Sequence, residues 1–287
     1  MGLTGTRLLL TSLLTVAFGS GLWAQEATAE AESQAPPEQL TFLTWNVLAD
    51  DVEVAKRIPA LYKAIGDVDA DVIALQEVSS WFVEMVHQEP WLKRYRTPTR
   101  NGRLQYPRGL TILSKYPIRS WTFQALPSRQ HRGVLIAELD VNGRTITVAT
   151  AHMDSPLALG KVRARQLDVI FGLLKEAEDV VFLGDFNFGD KEQPETEHLS
   201  DSYVDLWSTL KPEEPGYTWN IEENGMAKRG AFPGETSRRI DRILVRSKVY
   251  EPKSVRNVGN QPVEPGDNSL FPADHYGVVG TVKRNRE

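Results

Sequence analysis

Between residues 40 and 283 the apolar positions gather into eight runs of seven to nine residues: 40–48 (LTFLTWNVL), 72–78 (VIALQEV), 109–115 (GLTILSK), 133–141 (GVLIAELDV), 145–153 (TITVATAHM), 179–186 (DVVFLGDF), 239–246 (RIDRILVR) and 276–283 (YGVVGTVK). They are rich in β-branched residues and bounded by turn formers, so each predicts a strand. Two windows follow a helical period instead. They predict helices over 52–66 and 161–177, the second with Val162, Leu167, Ile170, Phe171 and Leu174 on one face. Asn142-Gly143 between two alternating runs is a strong hairpin signal, so 133–141 and 145–153 are expected to pair antiparallel. Strands outnumber helices, which points to mixed α/β with packed sheets rather than a doubly wound parallel sheet. Neither an internal repeat nor a second linker breaks the pattern, so one domain over 40–287 is expected.

The first residues read differently. Arg7 precedes an eleven-residue apolar stretch, Leu8 to Phe18, and smaller residues lead to Leu22-Trp23-Ala24. This layout resembles a secretory signal peptide over 1–24, implying a secreted or periplasmic protein. The stretch falls short of the roughly 20 residues needed to cross a bilayer, so no stable membrane insertion is expected. Residues 25–39 (QEATAEAESQAPPEQ) have no apolar period and read as a disordered linker. A hydrophobic content of 41% with seven Trp is ample for a core, and a monomer is expected. The chain has no cysteine, which excludes disulfides, thiolate catalysis and cysteine-ligated zinc.

Net charge is −5, which argues against a surface built for nonspecific nucleic-acid binding. Locally the picture changes. From Trp91 to Ala137 there are ten Lys or Arg and no Asp or Glu, whereas Glu176 to Asp205 holds ten acidic residues against Lys191 alone. Each run is either a solvated face or, for the basic one beside a phosphate-cutting site, a wall that draws in a polyanion. Six stretches, most of them at the ends of the predicted strands, also carry acidic, amide or imidazole side chains: Trp45-Asn46, Gln76-Glu77, His152 to Ser155, Gly184 to Asn187, Asp241-Arg242 and Asp274-His275. One Asp after a buried strand is usually a cap or turn. Six together suggest strands delivering charged groups to one rim, as a metal-assisted phosphoester hydrolase requires.

In order and spacing, TWNVL (44–48), LQEV (75–78), AHMDS (151–155), GDFN (184–187), IDRILV (240–245) and ADH (273–275) resemble the endonuclease/exonuclease/phosphatase superfamily. The likeness covers nearly all of 41–283. It implies a DNase I-like four-layer α/β sandwich, two mixed and largely antiparallel sheets flanked by helices, and metal-dependent phosphoester hydrolysis. Within the superfamily, VDLW (204–207), GYTWN (216–220), IDRILVR (240–246) and FPADHYG (271–277) look most like the branch that releases 5′-linked tyrosine from DNA.

A phosphodiester is anionic, so attack on it needs a cation, an activated water and proton donors. Glu77 is the first candidate metal ligand, with Asn46 supporting it directly or through water and Asp274 either binding metal or shaping a turn. Oxygen donors of this kind suit Mg²⁺ or Mn²⁺. Asp185 and Asn187, two apart, are expected on one side of a strand end, one to orient or deprotonate water and the other to donate to phosphate. Asp241 is the expected partner of His275, fixing its tautomer and raising its basicity, and His152 the expected donor to a nonbridging oxygen. Arg132 and Ser155 are candidate phosphate contacts, although Ser155 precedes Pro156 and also suits a turn. Arg163, with Gln166 three residues on, either faces the site or forms a surface pair. Tyr217 and Trp219 either stack on a base or aryl group or pack in the core.

The expected activity is therefore hydrolysis of phosphodiester bonds in nucleic acid or aryl phosphodiesters. A sphingomyelinase-like phospholipase is the rival within the superfamily. It would favour an exposed apolar hairpin, for which Trp81-Phe82 and Trp91-Leu92 are the only candidates. A noncatalytic binding module is the rival of another class, and it has no chemical reason to keep this set of side chains.

Overall fold

The period-two pattern becomes two sheets in the computed structural model, which describes residues 35–285. In chain order the strands are β1 (Gln39–Asn46), β2 (Val72–Gln76), β3 (Thr99–Arg100), β4 (Arg103–Leu104), β5 (Thr111–Ser114), β6 (Ile118–Ala125), β7 (Gly133–Val141), β8 (Arg144–His152), β9 (Val180–Asp185), β10 (Val204–Asp205), β11 (Asp241–Arg246), β12 (Tyr250–Val258) and β13 (Gly277–Arg284). The α-helices are α1 (Val54–Val68), α2 (Ser80–Val86), α3 (Gly160–Leu174), α4 (Leu206–Leu210) and α5 (Gly225–Gly230). One sheet has the order β12-β13-β1-β2-β5 and the other β10-β11-β9-β8-β7-β6, while β3 and β4 form a separate ribbon. Each large sheet holds one parallel pair, β1 with β2 and β8 with β9; the remaining neighbours run antiparallel. A parallel pair needs a long crossover, and α1 and α3, the two helices legible in the sequence, supply it.

Burial on both faces explains why these strands read as nearly continuous apolar runs. Leu40 and Phe42 of β1 and Val72 and Ala74 of β2 meet Val148 of β8, Leu183 of β9 and Ile243 of β11 between the sheets. The alternate residues face outward. Leu43, Trp45, Ile73 and Leu75 pack under α1 and α2, and Ala149, Ala151, Val180 and Phe182 under α3. The result is the expected four-layer sandwich.

Strands β6 and β12 escape the sequence pattern. Both lie at sheet edges, where one side needs no pairing and polar residues are tolerated. β12 also carries Pro252 at a register shift, which edge strands accommodate. The expected signal peptide lies outside the described residues. Of the expected linker, Gln39 belongs to β1, and the carbonyls of Pro36 and Pro37 accept hydrogen bonds from Arg284 and Tyr250. No helix among the described residues is long and apolar enough to cross a membrane.

Gly184 permits the close approach of β8 and β9: a Cβ there would lie 2.2 Å from the Ala151 carbonyl oxygen. Gly184→Ala should therefore cost about 3 kcal/mol, lowering the thermal midpoint by roughly 6–12 °C. By contrast Gly172, exposed on α3 with open space around it, should gain about 0.5–1 kcal/mol on substitution by Ala. Calorimetry of the two variants checks both signs.

Candidate active site

The side-chain parity that builds the inter-sheet core also builds the site. Side chains two apart on a strand share a face. Thr44 and Asn46 continue the inward face of Phe42, Gln76 that of Ala74, Thr150 and His152 that of Val148, and Asp185 that of Leu183. Asp241 precedes Ile243 on the same face of β11. Strand register then aligns them, since Asp185 pairs with Asp241 across the antiparallel β9–β11 ladder and with His152 across the parallel β8–β9 ladder. One layer deeper, Gln76 Nε2 donates to Thr44 Oγ1 (3.1 Å) and Thr150 Oγ1 (3.0 Å), joining the two sheets where the apolar core ends.

Asp185 Oδ2 is the hub. Asn46 Nδ2 lies 3.1 Å from it, His152 Nε2 3.3 Å and His275 Nε2 3.9 Å. Arg132 Nη1 stands 3.0 Å from His152 Nδ1. A guanidinium only donates, so Nδ1 must accept and the ring proton sits on Nε2, aimed at the hub. Burial lowers the His152 pKa to about 4 and the Arg132 charge acts in the same direction, against the pull of Asp185 and Glu77; His152 is a neutral N–H donor at physiological pH. His275 is the opposite case. Burial alone would lower it, yet the Asp241 and Asp185 carboxylates carry its pKa well above the ordinary value. Its Nδ1 donates to Asp241 Oδ2 at 2.8 Å, and Trp219 tilts against its ring at 5.0 Å between centroids.

Glu77 lies one residue past β2 in the left-handed region (φ 60°). A non-glycine residue there carries backbone strain of the kind that gathers at functional sites. Gly109 (φ 78°) packs on it, and a Cβ at that position would come within 3.3 Å of Glu77 Cα. Burial raises the Glu77 pKa, but His152, the Ala49 N–H and Asn46 together bring it below the usual range, so it is ionised. Asp274 is held the other way: burial, joined by the charges of Glu77 and Asp185 and opposed by His275, pushes it up to about 6.

These carboxylates, with Asp241 Oδ1 buried and lacking a hydrogen-bond partner, form a hard oxygen donor set that fits Mg²⁺ or Mn²⁺. Oxygen or nitrogen atoms of Asp185, Asp241 and His275 also lie within 4.8 Å of one another. Because His275 already donates to Asp241 and holds its proton firmly, that trio is better read as an acid–base group, with Glu77 the primary metal position. Asn46 points its nitrogen at Glu77 Oε1 (3.0 Å) and spends its oxygen on the Leu48 N–H, an arrangement that favours support of Glu77 over direct ligation.

Other expected positions differ. Asn187 does not continue the strand: it is left-handed (φ 56°), its N–H bonds Asp185 Oδ1, and its amide donates to the Met153 carbonyl, tying together the loops after β8 and β9. Arg163 does not reach substrate. It is buried, pairs with Glu195 at 2.7 Å and donates to the carbonyls of Asp154, Pro156 and Leu157, so it holds the loop after β8. Gln166 is likewise buried, donating to the Pro127 carbonyl. Ser155 gives its N–H and hydroxyl to Gln130, a residue no sequence signal marks. Asp154 holds the loop leading to Arg132 by accepting from Ser128 Oγ and the Arg129 N–H. Tyr217 is exposed, whereas Trp219 is buried against His275. Phe82 and Trp91 are core residues and Trp81 donates to the Ala49 carbonyl, so no exposed apolar hairpin is formed there.

A two-sheet sandwich with an Asp–His pair, a second His and a carboxylate cluster at one end of its core defines a phosphoesterase. Residues 43–275 match the Endonuclease/Exonuclease/phosphatase family, and the chain belongs to it. The chain is 29% identical over 263 residues to tyrosyl-DNA phosphodiesterase 2 of Xenopus laevis, covering 88% of this chain and 68% of the relative. It is 25% identical over 261 residues to the Homo sapiens enzyme, covering 88% and 70%. A crystal structure of D. rerio TDP2 complexed with single-strand DNA product superposes with a TM-score of 0.72 at 24% identity, covering 86% of this chain and all of that one. The protein is a phosphodiester hydrolase of this family.

Asp241→Asn should lower kcat by about 10²–10⁴, because a neutral amide no longer holds the His275 imidazolium protonated and oriented. The folded pKa of His275 is raised, so the pair's contribution to stability is fully present below the unfolded value near 6.5 and fades as pH rises through the folded value. Melts in EDTA should show wild type exceeding the variant most near pH 6 and least at alkaline pH.

Proposed function

We propose that the protein is an exported, Mg²⁺ or Mn²⁺ dependent phosphodiesterase that cleaves nucleic acid or an aryl, tyrosyl-type phosphodiester by water attack. The observation that carries this reading is the convergence of two imidazole Nε2 atoms and Asn46 on Asp185 Oδ2, beside ionised Glu77. Export rests on the pattern of residues 1–24, and the nucleic-acid or tyrosyl substrate on the names of the relatives and the basic stretch 91–137.

Asp185 accepts the proton of the attacking water. His152 Nε2–H and protonated His275 Nε2–H donate to the nonbridging oxygens as negative charge grows there. Arg132 keeps the first donor in its tautomer, and Asp241 keeps the second protonated and oriented. Glu77 and Asp274 would hold the divalent ion, which supplies neutralising charge to the phosphate. As the new P–O bond forms, the bond to the leaving oxygen breaks. A phenolic leaving group, with an ordinary pKa of about 10, departs without a strong acid.

Turnover of a 5′-tyrosyl oligonucleotide, plain DNA, RNA and sphingomyelin vesicles, each with Mg²⁺, Mn²⁺ or EDTA, tests the reading. Metal-dependent cleavage of the oligonucleotides that disappears in Asp185→Ala is the expected result; lipid turnover alone would refute it.

Metal uptake should also depend on pH. Asp274 must give up its proton to serve as a ligand, so apparent Mg²⁺ affinity should fall as pH drops below about 6, the value to which burial and its neighbours push it. Calorimetric titration in two buffers of different ionisation enthalpy reads the released proton directly.

A further inference from the structure

The carboxylate hub is held from the far side of its own sheet. Because Asp241 turns between the sheets, Arg242 must turn to the outer face, where Leu244 packs under α3. An arginine is an unusual occupant of that layer, and it is almost fully buried, with 2% of its side chain exposed. Its guanidinium turns away from the catalytic centre and lies over the Phe188 ring, 4.8 Å from the centroid, with Nη2 donating to the Phe188 carbonyl at 3.1 Å. Nη1 donates to Asp190 Oδ1 at 2.8 Å and to Asp205 Oδ2 at 3.0 Å. Burial would raise both carboxyl groups, but Arg239 and Arg242 bring them below the usual range, so both are ionised.

Phe188 and Asp190 belong to the loop that leaves β9 directly after Asp185. Within it Asn187 takes the left-handed conformation, and its N–H bonds Asp185 Oδ1 at 2.9 Å. That bond occupies one carboxylate oxygen and leaves Oδ2 as the hub. A left-handed residue of this kind persists only where its surroundings hold it. Here both of its neighbours are gripped by the stretch Ile240 to Arg242: the Phe186 N–H donates to the Ile240 carbonyl at 2.8 Å, and the Phe188 carbonyl accepts from Arg242. Arg239 supplies the contrast. It is buried and binds the same two carboxylates, Asp190 and Asp205, yet among the described residues it makes no hydrogen bond to 186–188.

We propose that Arg242 is a positioning residue for Asp185, a reading that rests on Asp185 accepting the proton of the attacking water. By pinning the Phe188 carbonyl it keeps the Asn187 N–H on Asp185 Oδ1, which aims Oδ2 at the water and at both imidazoles. The role needs a planar fork, because a carbonyl and two carboxylates are reached at once in fixed directions. A lysine ammonium carries the same charge without that geometry.

The test compares wild type with Arg242→Lys and Arg239→Lys on bis(p-nitrophenyl) phosphate with Mg²⁺, below the melting midpoint of each variant. Arg242→Lys should lower kcat by about 10-fold to 10²-fold while KM and the half-saturating Mg²⁺ concentration stay within about twofold, as a misplaced reacting group rather than lost binding requires. Arg239→Lys, which loosens the same ion cluster, should keep kcat within about threefold of wild type. A purely structural role would instead lower both melting midpoints and leave kcat of the folded enzymes alone. Should Arg242→Lys fail to fold, Asp190→Asn decides in its place: its side chain is 45% exposed, and it is one of the two carboxylates that aim the fork, so kcat should fall with KM unchanged. Wild-type kcat in the deciding variant, an equal fall in Arg239→Lys, or a matching change in KM or Mg²⁺ affinity would overturn the clamp. Asp185→Ala separates the two readings. If it is inactive, failure of the clamp leaves water activation by Asp185 standing; if it turns over like wild type, that role falls and the clamp's purpose with it.

Discussion

The site depends on the pairing register of three neighbouring strands. Asp241 faces Asp185 across one ladder and His152 lies beside Asp185 across the other, all with side chains turned between the sheets. A one-residue slip in any of them would send its functional side chain to the opposite face. That slip is costly because the same parity carries Val148, Leu183 and Ile243 into the shared core. Packing of the core thus positions the chemistry, and Gly184 removes the one side chain that would hold β8 and β9 apart.

On this frame the electrostatics divide the labour between two histidines. Both are buried and both direct Nε2 at the same carboxylate oxygen, yet their protonation is set in opposite directions. His152 faces a guanidinium and stays neutral, whereas His275 is sandwiched between Asp241 and Asp185 and keeps its proton. Environments that push two titratable groups apart separate their roles without changing residue type. Glu77, Asp185, Asp241 and Asp274 concentrate negative charge around them, an arrangement suited to a divalent cation and to the transition state of an anionic ester.

Much of this was legible in the chain. Strand ends bearing Asn46, Glu77, His152, Asp185, Asp241 and His275 stood out because polar groups that close long apolar runs are unusual. The failures have a common cause. Arg163 and Gln166 occupy exposed-looking helical positions but are drawn inward by Glu195 and by the loop carbonyls after β8 and before β7, partners distant in sequence. Asn187 breaks from strand geometry because its amide ties one loop to another. Gln130 carries no local signal, since what matters is its meeting with Ser155, 25 residues away.

The sequence by itself determined the strand parity, the two crossover helices, the Asn142-Gly143 hairpin and the residue types at the rim, because period and turn chemistry act over a few neighbours. Tertiary structure alone decided which edge strands complete the sheets, which arginines are buried in ion pairs, and which histidine stays neutral and which keeps its proton. Those outcomes follow from contacts between groups far apart along the chain, whose energies depend on burial and on distances that no local pattern encodes.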